Sequence, residues 1–305
     1  MAWNPTGVIS GAVSPFNDEG GIDWESFAKH LHHLASAGFT GVLVNASMAE
    51  GGHLTAAERA EALTFAVREI GDRVPVLATV YGSHTAETAE EARQAAETGA
   101  QGLLVYPHPA FAGEPLDPEL PAAYFQEIWR AAALPMVVFR TPSSLAPTLD
   151  VAALLRLSEI PGVVAVKDST GDLGFYTEGG PGARFLAADS PLRVLADHDP
   201  LLLPFLRAGA HGATVICSVV DSARWVELFN SRHTPAADSL FERLLPFARA
   251  VYEAPFRDFR ARLKEALHHD GVIATTHVRP PLLPLSTAER ERVVAALAAS
   301  RDQDQ

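Results

Sequence analysis

Lys167 closes an apolar stretch, Val163-Val164-Ala165-Val166-Lys167-Asp168-Ser169, and sets an ammonium where the pattern asks for burial. Such a run reads as a strand covered on both faces, and a charge there is costly unless it is paired or neutral. Desolvation favours the neutral amine, and a neutral amine attacks a ketone to give a Schiff base. The alternative is a structural lysine satisfied by a buried carboxylate; the strand alone leaves both open. Three of the 24 basic residues are lysines, and Lys29 and Lys264 fall in amphipathic helical patterns where a solvated cation is expected. Other groups that can move a proton are Ser47, Tyr106, His108 and the Asp197-His198 pair. Of these, histidine has the most suitable ordinary pKa, about 6.5.

These residues sit at the ends of short apolar runs, and a longer helical pattern follows most of them. The runs cover 8–14, 41–46, 75–81, 102–107, 135–141, 163–169, 192–199 and 212–219. Helical patterns cover 24–38, 55–71, 85–99, 118–133, 150–160 and 200–209, with a weaker one at 175–186 and a short eighth around 225–229. Thr55 with Glu58 predicts a capping box, Thr85 predicts a cap, and Gly38, Gly71 and Gly99 predict left-handed helix stops. Eight strand–helix units imply parallel strands joined by crossovers, and their spacing fits a (β/α)8 TIM barrel better than an open sheet. In a barrel the chemistry lies where the strands end, so Lys167 would reach that face. Further helices at 239–254, 256–269 and 287–300 read as an extension, giving a barrel over 1–230 and C-terminal helices over 231–305 packed on it.

Composition narrows the classes of partner. A net charge of −13 without a basic run argues against nucleic acid and anionic membrane. No apolar run approaches the roughly 20 residues that a spanning helix needs, and no leader pattern opens the chain, so a cytoplasmic protein is expected. The single cysteine, Cys217, excludes an internal disulfide framework. Asp197-His198-Asp199 is the one cluster that would suit a metal-dependent hydrolase, and it lacks matching histidines on the first strand. His30/His32/His33 and His268/His269 lie on helices where neighbouring side chains diverge by about 100°, so they make poor joint ligands.

Eight units, a lysine on the sixth strand in VKDSTGD and a helical C-terminus together resemble the dihydrodipicolinate synthase/N-acetylneuraminate lyase family. Gly11-Ala12-Val13-Ser14-Pro15-Phe16 followed by Gly21-Ile22-Asp23 looks like its first strand. Asn45-Ala46-Ser47-Met48-Ala49-Glu50 stands where the family has a G-T-T-G-E loop, and Gly209-Ala210-His211-Gly212 leads into the eighth strand as its members do. The resemblance implies a class I lyase acting on a 2-oxo acid through Lys167. It also implies a carboxylate held by the Ser47 and Met48 backbone, no metal or organic cofactor, and a homo-oligomer (dimer or tetramer). Lys167, Ser47, Tyr106 and His108 form the candidate catalytic set; Ser47, Met48, Phe139, Arg140 and Thr214 form the candidate substrate-binding set.

The chain departs from the family on the fifth strand. Where members carry Y-N-x-P with a proton-relaying tyrosine, this chain reads Phe139-Arg140-Thr141-Pro142, and a phenyl ring carries no proton. Pro107-His108-Pro109 replaces P-Y-Y, and Ser144 stands where synthases hold a second acid with arginine. Two accounts follow. Either the imine lysine is retained with new proton carriers, Arg140 pairing a different second acid, or the barrel is catalytically degenerate and serves as a ligand-binding or scaffold protein. The polar groups kept around the site favour the first, and the changes at Phe139 and Ser144 point away from the lysine-biosynthetic synthase itself.

Overall fold

A computed structural model describes residues 3–142 and 147–302. Eight strands, β1 (Gly7–Gly11), β2 (Gly41–Val44), β3 (Val76–Val80), β4 (Gly102–Val105), β5 (Met136–Arg140), β6 (Val163–Asp168), β7 (Arg193–Ala196) and β8 (Gly212–Val215), close into one parallel barrel in sequence order. Each strand is buried along nearly its whole length because its outer face meets helices and its inner face meets other strands. The helices around it are α1 (Trp24–Ala35), α2 (Ala56–Ile70), α3 (Thr85–Thr98), α4 (Glu119–Ala132), α5 (Val151–Ser158), α6 (Leu173–Tyr176), α7 (Leu202–Arg207) and α8 (Ser222–Ser231). The weak sixth pattern resolves into the one-turn α6 and a 3-10 turn at Ala183–Leu186. No helix among the described residues is long and apolar enough to cross a membrane.

Local signals mostly act where the residues suggest. Thr55 and Glu58 form the reciprocal capping box at α2, and Asp23 and Asp150 cap α1 and α5. Two details differ. His84, not Thr85, caps α3, its Nδ1 accepting the Glu87 N–H. Gly38 and Gly99 adopt positive φ, but Gly71 is right-handed at φ −65°, its N–H bonded to the Val67 carbonyl as one more helical turn.

After the barrel come α9 (Ala236–Tyr252), α10 (Phe259–His269) and α11 (Thr287–Arg301). Their core is partly ionic. Arg262 is fully buried and donates to the Val251 and Glu253 carbonyls and to Glu289, tying the end of α9 to α10 and α11. Lys264 overturns its reading as a solvated cation. Its side chain is fully buried, with Nζ 2.5 Å from Glu50 Oε1 and 2.6 Å from the His277 carbonyl. The cause is tertiary: α10 presents a polar face to the turn after β2, which the sequence pattern of the helix alone does not reveal. Burial pulls the Lys264 ammonium down to about 8.

Candidate active site at the mouth of the barrel

Strand register decides which side chains meet. Phe139 on β5 pairs with Lys167 on β6, and Arg140 pairs with Asp168, so alternation sends the first pair and the second pair to opposite faces. Lys167 Nζ lies 3.9 Å from the centroid of the Phe139 ring and contacts Asp197 Oδ2. Ser169 Oγ donates to that same carboxylate oxygen, while Thr214 Oγ1 donates to Oδ1 at 2.9 Å. Asp197 is therefore held by hydroxyls from β8 and from the segment after β6, and it faces Lys167. The pair is dry, with side-chain exposures of 11% for Lys167 and 2% for Asp197.

An aromatic wall continues from this pair. Tyr106 meets Phe139 edge-on with ring centroids 4.8 Å apart and lies 4.5 Å from Tyr81. Its hydroxyl accepts the Ser47 N–H at 3.2 Å. Burial raises the Tyr106 phenol and lifts Tyr81 well above the ordinary value, so both stay protonated at neutral pH. The Ser47 turn is tightly held: Asn45 and Glu50 take left-handed conformations at φ 62° and 57°. Gly51 is required there, because a Cβ would sit 1.9 Å from the Asn45 carbonyl oxygen. Arg260 of α10 reaches across, donating to the Ser47 carbonyl and hydroxyl, each at 2.6 Å. Met48 packs its buried side chain beneath the turn.

Lys167, Phe139, Tyr106, Ser47 and Thr214 are thus linked through successive contacts. Two expected residues stand apart. Arg140 does not curl over the rim. It is buried, with Nη1 2.7 Å from Asp168 Oδ2 and 3.1 Å from Thr170 Oγ1, Nε on the Leu149 carbonyl, and its guanidinium over the Phe175 ring. The opposite strand face explains the placement, and the Asp168 carboxylate, which also accepts from Tyr176, fixes it. His108 has both ring nitrogens occupied: Nδ1 accepts the Ala110 N–H and Nε2 faces the Ser83 carbonyl at 3.2 Å. Both contacts hold the ring in the turn after β4, where it packs against Phe111 and Tyr124. His198 packs edge-on against Tyr252, and burial lowers its pKa. Ser144 lies outside the described residues.

Ser169, Arg260 and the Glu50–Lys264 pair carry no signal in local sequence as parts of this region. The two basic residues belong to a helix more than 200 positions beyond the turn they touch. Asp199, next to the Asp197-His198 pair, does a separate job. It accepts the Ile216 and Cys217 N–H groups, and burial pushes it up to about 6. Among the described residues no group of three or more His, Cys, Asp or Glu side chains is disposed to share a metal ion.

Comparison with known proteins agrees with this architecture. The family model described as "Dihydrodipicolinate synthetase family" matches residues 4–300. A 4-hydroxy-tetrahydrodipicolinate synthase of Kineococcus radiotolerans is 32% identical over 295 residues, covering 96% of this chain and 91% of the relative. A second enzyme of that name, from Streptomyces coelicolor, is 31% identical over 300 residues, covering 96% and 94%. Among solved structures, a dihydrodipicolinate synthase of Bacillus anthracis superposes with a TM-score of 0.85 at 26% identity, covering 97% of this chain and 98% of that one.

Proposed function

The chain belongs to the dihydrodipicolinate synthetase family, and on that premise we propose that it is a Schiff-base lyase that binds a 2-oxo acid covalently through Lys167. The observation that carries the reading is the dry Lys167–Asp197 contact at the end of β6, with Ser169 and Thr214 donating to the same carboxylate. A merely structural ion pair would not need an aromatic wall and a hydroxyl-bearing turn opening from it.

The chemistry follows from these contacts. Asp197 takes a proton from the ammonium, and the freed amine adds to the ketone carbon. After a proton shift to the former ketone oxygen, Asp197 returns its proton to that hydroxyl, which leaves as water. The product is a protonated imine beside a carboxylate, with charge conserved throughout. The imine draws electrons from the adjacent carbon, so a C–C bond breaks or an α-proton leaves to give an enamine. Tyr106 is the group placed to serve the proton relay that Phe139 cannot: it lies against the Phe139 ring and keeps its proton at neutral pH. Because its hydroxyl also accepts the Ser47 N–H, it couples the relay to the turn proposed to hold the substrate carboxylate, with the Met48 N–H as the second donor.

Phe139 in place of a tyrosine, with Arg140 committed to Asp168, supports a substrate other than that of the lysine-biosynthetic synthase. Aldol cleavage and dehydration share the same imine, and the reading extends to either. Self-association as a dimer or tetramer belongs to the proposal through the family resemblance. The test is release of pyruvate from a panel of 4-hydroxy-2-oxo acids, followed with a lactate dehydrogenase couple. We expect release by the native protein and none by Lys167→Arg. Equal release by both proteins would end the reading.

A further inference from the structure

We propose that Arg260, supplied by the C-terminal helices, receives a second acidic group of the substrate, so that the site prefers 2-oxo acids carrying a distal carboxylate; this rests on the Lys167 reading above. All three hydrogen bonds of Arg260 end on uncharged oxygens: the Ser47 carbonyl, the Ser47 hydroxyl and, at 3.2 Å, the Arg257 carbonyl. A guanidinium has five N–H donors, so one remains on each terminal nitrogen among the described residues. Other arginines of this chain that are partly or fully buried are spent on carboxylates: Arg59 on Glu91, Arg262 on Glu289 and Arg279 on Glu58. The acid near Arg260, Glu50, is already taken by Lys264 and by the Arg279 N–H. Arg260 is thus a fixed cation at the site without an acid of its own, and a terminal fork suits a carboxylate.

Its position selects which carboxylate. Contacts link Lys167 Nζ to the Phe139 ring at 3.9 Å, that ring to Tyr106 with centroids 4.8 Å apart, and the Tyr106 hydroxyl to the Ser47 N–H, while Arg260 holds the carbonyl and hydroxyl of the same Ser47. The acid attached directly to the imine carbon is the one assigned above to the Ser47 and Met48 N–H groups. A group several bonds farther along the substrate reaches Arg260. The Ser47 hydroxyl, already on the guanidinium, offers a second polar contact at the same place. Arg140, the arginine expected on sequence grounds to do this work, is sealed into its pair with Asp168.

The experiment compares pyruvate with 2-oxoglutarate as probes. Each is titrated against the full chain with borohydride, and the half-saturating concentration of the trapped adduct is read by intact mass for the native protein, Arg260→Ala, Arg260→Gln and Arg260→Lys. The proposal predicts that 2-oxoglutarate half-saturates at lower concentration than pyruvate in the native protein. Arg260→Ala and Arg260→Gln should weaken 2-oxoglutarate at least tenfold more than they weaken pyruvate. Arg260→Lys should lie between. Equal losses for both acids, or no loss, would overturn it, since a prop for the Ser47 turn affects every ligand alike. Calorimetric binding of 2-hydroxyglutarate against lactate, neither of which forms an imine, separates the two claims. An Arg260-dependent preference for the diacid there, without trapping of either keto acid, would keep Arg260 and discard the Schiff base. No such preference would discard Arg260 itself. A melting curve for each variant identifies any that fails to fold, and the glutamine and lysine forms then carry the comparison.

Discussion

Asp197→Asn is the most demanding perturbation of the proposed proton transfer. The change keeps the side chain's size and an oxygen for Thr214, now 2.9 Å away, but removes the charge on which Lys167 and Ser169 converge. With exposures of 11% and 2%, water does little to replace it. Breaking a buried pair by removing one partner costs about 3–5 kcal/mol. The Phe139 ring beneath Nζ is present in both proteins, so its attraction does not offset the loss. In a chain of this size 3–5 kcal/mol corresponds to a fall in Tm of roughly 5–10 °C at pH 6. Imine formation loses its positioned acid–base group, a loss of about 10²–10⁴-fold. The assay follows borohydride-trapped pyruvate adduct with time by intact mass between pH 6 and 9, with melting curves in the same buffers. Trapping within about threefold of the native rate, with an unchanged Tm at pH 6, would refute the assignment of Asp197.

Three other outcomes follow from the same geometry. Tyr106→Phe keeps the ring against Phe139 and removes only the hydroxyl. Pyruvate trapping should persist within a few-fold while turnover of the cleaved substrate falls about 10²–10⁴-fold, and unchanged turnover in a pyruvate-release assay would exclude it as relay. Lys264→Met leaves the Glu50 carboxylate buried without its cation, so urea unfolding should show a loss of about 3–5 kcal/mol, largely recovered in Lys264→Met/Glu50→Gln; full stability of the single variant would contradict the packing of α10 on the Ser47 turn. His30 and Asp199 give opposite pH slopes. Burial lowers His30 to about 3, so the unfolded chain binds more protons between pH 3 and 6.5 and stability is lost as pH falls through that window, by roughly 5 kcal/mol in all. Burial raises Asp199 to about 6, so the folded chain binds more protons between about pH 4 and 6 and stability falls as pH rises there, by roughly 3 kcal/mol. Unfolding at pH 4, 5 and 6 should show His30→Gln losing the first slope and Asp199→Asn losing the second; parallel curves for both variants and the native protein would contradict the burial of these groups.

The barrel was legible because its signals are local. Continuous apolar runs mark strands covered on both faces, and Thr55 with Glu58 marks a helix start within four residues. Lys167 was legible for the same reason, since an ammonium inside such a run has few explanations. Arg140 shows where that reasoning stops. Its guanidinium suited a second substrate acid, yet strand alternation turns it to the face opposite Phe139. What decides its place is Asp168, its register partner on β6 and 28 residues on in sequence. His108 suited proton transfer by residue type, yet the 3-10 turn at Pro109–Phe111 and the Ser83 carbonyl engage both ring nitrogens. Lys264 and Arg260 sit in a helix whose residues read as solvent-facing. Their roles arise only when α10 lies on the turn after β2, a contact spanning more than 200 residues that no local pattern encodes.

Covalent capture at Lys167 is the claim on which the rest depends, and three lysines make it unusually easy to test. The protein is incubated with pyruvate, reduced with borohydride, digested and mapped by tandem mass spectrometry. The account predicts one added pyruvate-derived group per chain on the peptide that contains Lys167, and none in Lys167→Arg. Labelling at Lys29 or Lys264 instead, or no label across a broad set of 2-oxo acids, would contradict it.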